Sequence, residues 1–161
     1  MRINDIFQEP IDHPIEAVVK VDQSDDEVVY DELRTFIPTD ALQRHFRKIL
    51  EAIVASRTEP TEGIGMWVSG SFGSGKSLFV KILGCILGQC TVKGQSASEL
   101  FSSRLTDDRL KDIIKLVNRA IPFTVVMFDL AAESAVRTDR ENISEVMYRV
   151  LLRTLACLRQ L

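Results

Sequence analysis

The stretch Gly70-Ser71-Phe72-Gly73-Ser74-Gly75-Lys76-Ser77 decides the fold that this sequence predicts. It matches the pattern G-x-x-x-x-G-K-[ST] at every position. The run Ile64-Gly65-Met66-Trp67-Val68-Ser69 before it is typical of a short buried strand, and Leu78-Phe79-Val80-Lys81-Ile82-Leu83 after it is typical of an apolar helix. A strand, a glycine-rich loop and a helix in this order form the setting in which the pattern binds phosphate.

The residue types in this loop are those that phosphate binding requires. Glycines allow backbone N–H groups to turn inward as a concave anion site, and the following helix directs its unpaired N-terminal N–H groups to the same place. We expect Lys76, the predicted catalytic residue, to contact the β- and γ-phosphates of ATP, and the Ser77 hydroxyl to ligate Mg²⁺. The residues predicted to bind the nucleotide are Gly70, Ser71, Phe72, Gly73, Ser74, Gly75, Lys76, Ser77 and Leu78. The alternative is a glycine-rich turn that happens to precede Lys-Ser.

Helical and apolar patterns extend outward from the loop. Helical spacing predicts four more helices. The first spans 25–36, the second begins at Asp40 with an Asp40–Gln43 capping pair, and the third begins at Thr106-Asp107-Asp108. The fourth follows a Thr138–Glu141 capping box. The apolar run 123–130 predicts a second strand, and 15–21 a weaker one. We therefore predict an α/β P-loop NTPase core with a parallel sheet flanked by helices. The sheet would be incomplete, as in the N-terminal piece of a longer protein. We divide the sequence into an N-terminal arm, 1–38, and the start of the NTPase domain, 39–161.

Bulk properties limit the class of protein. The chain has 161 residues, a net charge of −3 and 45% hydrophobic residues. No apolar run approaches a membrane span, and three cysteines without C-x-x-C spacing favour a reducing, cytoplasmic location without a membrane partner. The acidic excess in residues 1–33 is typical of a solvated face. Arg44, Arg47 and Lys48 give nucleic-acid binding only weak support, because a nucleic-acid footprint needs a wider basic surface.

The second half of an ATPase site is less clear in this sequence. Hydrolysis needs an acid on Mg²⁺ and a residue that positions water. Asp129 ends the apolar run as a metal-binding aspartate would, but Leu130-Ala131-Ala132 follow it and Glu133 comes too late. We interpret Asp129 as a strand-end residue, with a magnesium ligand as the alternative. Arg137 and Arg140 are interpreted as surface residues or, alternatively, as arginines acting on a neighbouring subunit's nucleotide; His13 and His45 are interpreted as structural.

Several stretches together resemble one family. These are Ile3-Asn4-Asp5-Ile6-Phe7, residues 14–21, Leu42-Gln43-Arg44-His45-Phe46-Arg47 and, most closely, 65–79. The sequence is similar to the P-loop ATPase of BREX phage-defence systems (the BrxC/PglY family), strongly from residue 1 to 87 and more loosely beyond. Family members often carry His where this chain has Leu78.

The resemblance implies a large AAA-type ATPase of a bacterial defence island that restricts phage without cutting DNA itself. It also implies partners in a defence complex or self-association, and an Asp-Glu strand end further along the parent chain. Two functions stay open from the residues. One is a machine driven by ATP binding and hydrolysis, and the other is a nucleotide-gated interaction module without turnover. A small-molecule kinase is disfavoured by the acidic first thirty residues and the long helix before the loop.

Overall fold

The structure is a computed structural model that describes residue 6 and residues 19–23, 25–59, 65–130, 133 and 142–158. Six helices and one hairpin are described, in the order α1 (Asp26–Thr35), α2 (Asp40–Ala55), α3 (Lys76–Leu87), β1 (Thr91–Val92), β2 (Gln95–Ser96), α4 (Ala97–Ser102), α5 (Asp108–Ala120) and α6 (Ile143–Leu158). Within these ranges, no helix combines the length and the apolar character that a bilayer span needs.

Three helices begin where a polar side chain caps them. Asp25 accepts hydrogen bonds from the backbone N–H groups at the start of α1, and Asp107 does the same for α5. These two caps confirm the helices predicted over 25–36 and from residue 106. The helix predicted from Asp40 is also confirmed, but its capping pair is wrong. The Thr39 hydroxyl accepts the bond from Leu42 N at 3.4 Å, while Gln43 bonds elsewhere.

Gln43 instead joins α2 to the start of α5. Its side chain is buried, and its amide donates to Pro38 O at 2.7 Å and to Thr106 Oγ1 at 3.0 Å. Its carbonyl oxygen accepts from the backbone N–H groups of Thr106 and Asp107 at 3.0 and 2.9 Å. One turn later, Arg47 Nη1 lies 2.6 Å from Asp107 Oδ2. The buried amide is therefore fully hydrogen-bonded, which holds the two helices in one register.

Four phenylalanine rings form the centre of the hydrophobic core. Phe46 of α2 packs against Phe79 of α3 with ring centroids 4.2 Å apart, against Phe101 of α4 at 5.0 Å, and edge-on against Phe36 at 6.2 Å. All four rings are buried, and Phe46 is completely so. Offset and edge-to-face rings at these separations attract one another beyond the area they bury. Phe79 lies in the first turn of α3, so the cluster holds α2 against the end of α3 that follows the loop.

The predicted fold class is wrong. The described chain is mostly helical, and its two strands are short and antiparallel, so it does not form the parallel sheet flanked by helices of a P-loop NTPase core of the AAA type. Residues 65–70 are exposed, 121–129 include partly buried and exposed positions, and neither segment has regular secondary structure. A strand exists only where a neighbour pairs with its backbone, and among the described residues neither segment has such a neighbour. The weaker predicted strand, 15–21, lies mostly outside the described residues.

The hairpin lies directly after α3, in a segment for which the sequence predicts no strand. Thr91 pairs with Ser96 and Val92 with Gln95 across a two-residue turn. Both turn residues, Lys93 and Gly94, have positive φ (48° and 75°), the combination that suits a tight hairpin. Lys93 Nζ also lies 3.1 Å from Glu27 Oε1 and 4.8 Å from the ring centroid of Tyr30. These contacts attach the hairpin to α1.

A buried ion pair connects α1 to the middle of α3. Lys81 Nζ lies 2.6 Å from Glu32 Oε2, and the two side chains are only 2% and 10% exposed. Among the described residues, the other carboxylate oxygen, Glu32 Oε1, has no hydrogen-bond partner. Each charge therefore depends on the other, because a buried charge is costly unless it is paired.

The last helix, α6, confirms the helix predicted near the end of the chain. It begins at Ile143, where Asn142 N donates to Glu145 Oε2 at 3.3 Å. The predicted Thr138–Glu141 capping box lies outside the described residues. Val146 and Val150 are buried, whereas the apolar residues Ile143, Met147, Leu151 and Leu155 are exposed.

Candidate phosphate-binding site

The N-terminus of α3 is the uncapped start of a long helix. Gly75 occupies the cap position and provides no side-chain acceptor, and the first turn contains no acidic residue. The first helical hydrogen bond runs from Phe79 N to Gly75 O at 2.9 Å. The N–H groups of Lys76, Ser77 and Leu78 therefore lack the kind of side-chain cap that begins α1, α2 and α5. Unsatisfied donors and the positive end of the helix dipole together favour an anion here.

The glycines of the loop each meet a steric requirement. Gly73 and Gly75 have φ of +76° and +82°, a backbone region that other residues enter only at a cost. At Gly70, an added Cβ would lie 2.7 Å from Ser74 Oγ, closer than side chains tolerate. The loop shape therefore depends on glycine at Gly73 and Gly75, whereas at Gly70 a larger residue would require the Ser74 side chain to move.

The ammonium group of Lys76 lies across the loop. Its Nζ donates to the carbonyl oxygen of Ser71 at 2.7 Å, and Ser74 N donates to the same oxygen at 3.3 Å. The partner of the ammonium group is thus a neutral carbonyl near the surface. An anionic phosphate oxygen is a stronger acceptor for a cation, so a ligand can compete for this contact.

The other residues predicted to bind the nucleotide present different chemical groups to a ligand. Ser77 is exposed, so its hydroxyl is accessible to a hydrated metal ion. Leu78 packs against the core, which leaves its backbone N–H as its contribution. Phe72 is fully exposed at the tip of the loop. The predicted residues 70–78 therefore lie together on one loop and the first turn of α3, as expected of a local sequence motif.

A cavity of about 690 Å³ lies between this loop and α2. Its walls are formed by Phe36, Leu42, His45, Lys48, Ile49, Ala52, the segment 66–71, Ser74, Gly75, Lys76 and Phe79. Lys48 and His45 were not predicted as site residues, yet they bring a second cation and an imidazole to the loop's cavity. Helical spacing was the sequence signal that could have placed these two residues at the site. His45, Lys48 and Ala52 are three and four residues apart and share one face of α2.

The segment 121–129 packs along α3. A Cβ added at Gly84 would lie 2.6 Å from Met127 Sδ, and Val125 approaches both Gly84 and Gly88. The segment thus runs antiparallel to α3 as it leads to Asp129, which is exposed.

Glu133 is engaged in an ion pair. Its Oε1 lies 2.6 Å from Arg153 Nη2 of α6, so the carboxylate contacts a helix remote in sequence from the loop. Arg137, Arg140 and His13, the other residues considered from the sequence, lie outside the described residues.

Comparison with known proteins adds no assignment to this geometry. Neither a protein-family model nor a solved structure matches the chain.

Proposed function

We propose that this chain binds ATP with Mg²⁺ through residues 70–78. The observation that carries the proposal is the uncapped start of α3, with Lys76 bound across it to a neutral carbonyl. The backbone N–H groups of 72–77 would hold the phosphate oxygens and Lys76 would supply the main positive charge. The exposed Ser77 hydroxyl would provide one oxygen ligand to the magnesium ion.

The cavity next to the loop suits the rest of a nucleotide. Its α2 wall brings Lys48 and His45, and its apolar lining includes Trp67 and Phe36. A pocket with apolar walls and a few convergent polar groups is the usual form of a small-molecule site. We assign the phosphates to the loop, a supporting charge to Lys48, and the base to the apolar lining.

The biological setting of this binding is proposed from the sequence resemblance alone. It is that of a BREX-type phage-defence ATPase that couples ATP binding and hydrolysis to changes in conformation or assembly. The proposed partners are other subunits of a defence complex, or further copies of this chain. The motif residues 65–79 carry this part of the proposal, together with the matching stretches before them.

Calorimetric titration with ATP and Mg²⁺ tests the binding proposal. Lys76→Ala should weaken binding about tenfold to a hundredfold, because a charge-assisted hydrogen bond contributes about 1.5–3 kcal/mol. The matched control is Lys115→Ala, which removes the same charge from the outer face of α5, where the side chain is 75% exposed. The control should bind ATP like the parent chain. Equal affinities for all three proteins would refute the assignment of Lys76.

The alternative function is a nucleotide-gated interaction module without turnover. Two observations favour it for this chain: Leu130 rather than an acid follows Asp129, and Glu133 is bound to Arg153. We expect phosphate release by the isolated chain to stay well below about 1 per second, the low end of ordinary enzyme turnover. Faster release that Lys76→Ala abolishes would show that the water-positioning residue is present in this chain.

A further inference from the structure

The C-terminus of α3 ends in a Schellman motif. Gln89 adopts a left-handed conformation with φ of 52°, Cys90 N donates to Cys85 O at 3.0 Å, and Gln89 N donates to Ile86 O at 3.3 Å. These are the two hydrogen bonds that define the motif, in which a side-chain contact between the joined outer positions is frequent. Here both of those positions are cysteines.

The two cysteines are free and are joined by the Cys90 N to Cys85 O backbone hydrogen bond. Cys85 is buried and Cys90 is half-buried, and each thiol is the largest influence on the pKa of the other. The backbone bond between the same two residues keeps their main chains close. A disulfide requires such proximity and side chains that point toward each other. The arrangement therefore differs from that of isolated buried cysteines, which are inert.

The two thiols are chemically unequal. The hydrogen bond from Cys85 lowers the pKa of Cys90 to about 6, although partial burial opposes this. The same bond and the deeper burial raise the pKa of Cys85. Lys81 and Glu32 also face Cys85, and their charges act in opposite directions, so they partly cancel. The more accessible sulfur is therefore the more acidic of the two.

We propose that Cys90, the more accessible of the two thiols, reacts with oxidant and that Cys85 is its resolving partner, so that a hydroperoxide converts the pair into a reversible disulfide at the end of α3. The inference does not rest on phosphate binding, because the two cysteines lie at the opposite end of the helix from the loop.

The proposed chemistry takes place in two balanced steps. The Cys90 thiolate attacks one peroxide oxygen, the O–O bond breaks, and hydroxide leaves as water after it takes up a proton. Cys90 is thereby oxidised by two electrons to a sulfenic acid, and the peroxide is reduced. The Cys85 sulfur, losing its proton, then attacks Cys90 Sγ, so that the S–S bond forms, the S–O bond breaks and water leaves.

Peptide mass spectrometry of the full chain after treatment with hydrogen peroxide tests the inference. Cleavage after Lys81 and Lys93 releases one peptide, residues 82–93, that contains both cysteines. The treated peptide should be lighter by two hydrogen atoms and should resist alkylation by iodoacetamide until dithiothreitol restores it. Cys157→Ser is the matched control and should behave like the parent chain. Accumulation of sulfinic acid at Cys90 without a disulfide, or a disulfide that requires Cys157, would overturn the proposal.

Two substitutions of Cys85 separate its proposed roles. Cys85→Ser keeps an O–H donor but cannot form a disulfide, so sulfenic acid on Cys90 should be trapped by dimedone at nearly the parent rate of oxidation. Cys85→Ala removes the donor as well. At pH about 6.5 this should slow Cys90 oxidation about fivefold, because a large loss of thiolate is partly offset by the higher nucleophilicity of a more basic thiolate. Equal oxidation rates for Cys85→Ala and the parent chain would refute the donor role.

Discussion

The buried ion pair between Lys81 and Glu32 gives the sharpest test of the packing between α1 and α3. Lys81→Met keeps most of the side-chain volume but leaves the Glu32 carboxylate buried without its partner. The Lys81 side chain is 2% exposed and that of Glu32 is 10% exposed, so water cannot replace the lost contact. Removal of one member of such a pair costs about 3–5 kcal/mol of unfolding free energy. We therefore expect Lys81→Met to be one of the most destabilising substitutions in α3.

Urea unfolding followed by circular dichroism measures this cost. With an m-value of about 2 kcal/mol per molar urea, a loss of about 4 kcal/mol lowers the midpoint by about 2 M. The double variant Lys81→Met with Glu32→Leu should recover to within about 1 kcal/mol of the parent chain, because replacing both charges removes the unpaired group. The control is Lys93→Ala. Its exposed pair with Glu27 should contribute less than about 1 kcal/mol.

Two results would refute this reasoning. One is a cost below about 1 kcal/mol for Lys81→Met, which would mean that water reaches the Glu32 carboxylate. The other is a double variant whose cost equals the sum of the two single variants. That result would mean that the side chains do not act as a pair.

Three further predictions concern the two ends of α3 and the segment beside it. Gly75→Ala should destabilise the chain by about 1–2 kcal/mol in urea unfolding, because φ of +82° suits glycine, and should also weaken ATP binding. Asp129→Asn should leave ATP affinity unchanged within about 1 kcal/mol, both with Mg²⁺ and in EDTA; a loss seen only with Mg²⁺ would make Asp129 a metal ligand. The rate at which iodoacetamide alkylates Cys90 should rise with pH through a midpoint near 6, because deprotonation creates the reactive thiolate and the Cys85 hydrogen bond holds the pKa of Cys90 at about 6. A midpoint above 8 would exclude that bond.

The helices could be predicted because their signals are local. Asp25 and Asp107 cap helices that carry an apolar stripe at helical spacing, so propensity, cap and pattern agree. The hairpin gave a weaker signal. Lys93-Gly94 lacks the Asn or Asp that marks such turns, and each strand is only two residues long.

The parallel sheet was wrongly predicted because a strand is defined by its partner. The apolar runs near Trp67 and Val125 satisfy the composition of buried strands, but side-chain composition does not supply backbone pairing. Val125 and Met127 bury part of their surface against the glycines of α3 instead. Contact with α3 therefore explains why the segment around Val125 is apolar although it is not a buried strand.

Only part of the candidate site could be predicted from the sequence. Residues 70–78 are contiguous, so the loop was predictable from the motif alone. The opposite wall of the cavity depends on the packing of Phe46 against Phe79, which turns His45 and Lys48 toward the loop. Such a contact between distant parts of the chain has no contiguous signature in the sequence.

The two ends of α3 have a thermodynamic consequence when taken together. The uncapped N-terminus is the proposed phosphate site and the Schellman end holds the cysteine pair, so one rigid helix would carry two chemical equilibria. Linkage requires any coupling between them to be reciprocal. If closure of the disulfide changes ATP affinity tenfold, saturating ATP must shift the reduction potential of the Cys85–Cys90 pair by about 30 mV. A redox titration with and without nucleotide would therefore measure how strongly α3 transmits binding from one end to the other.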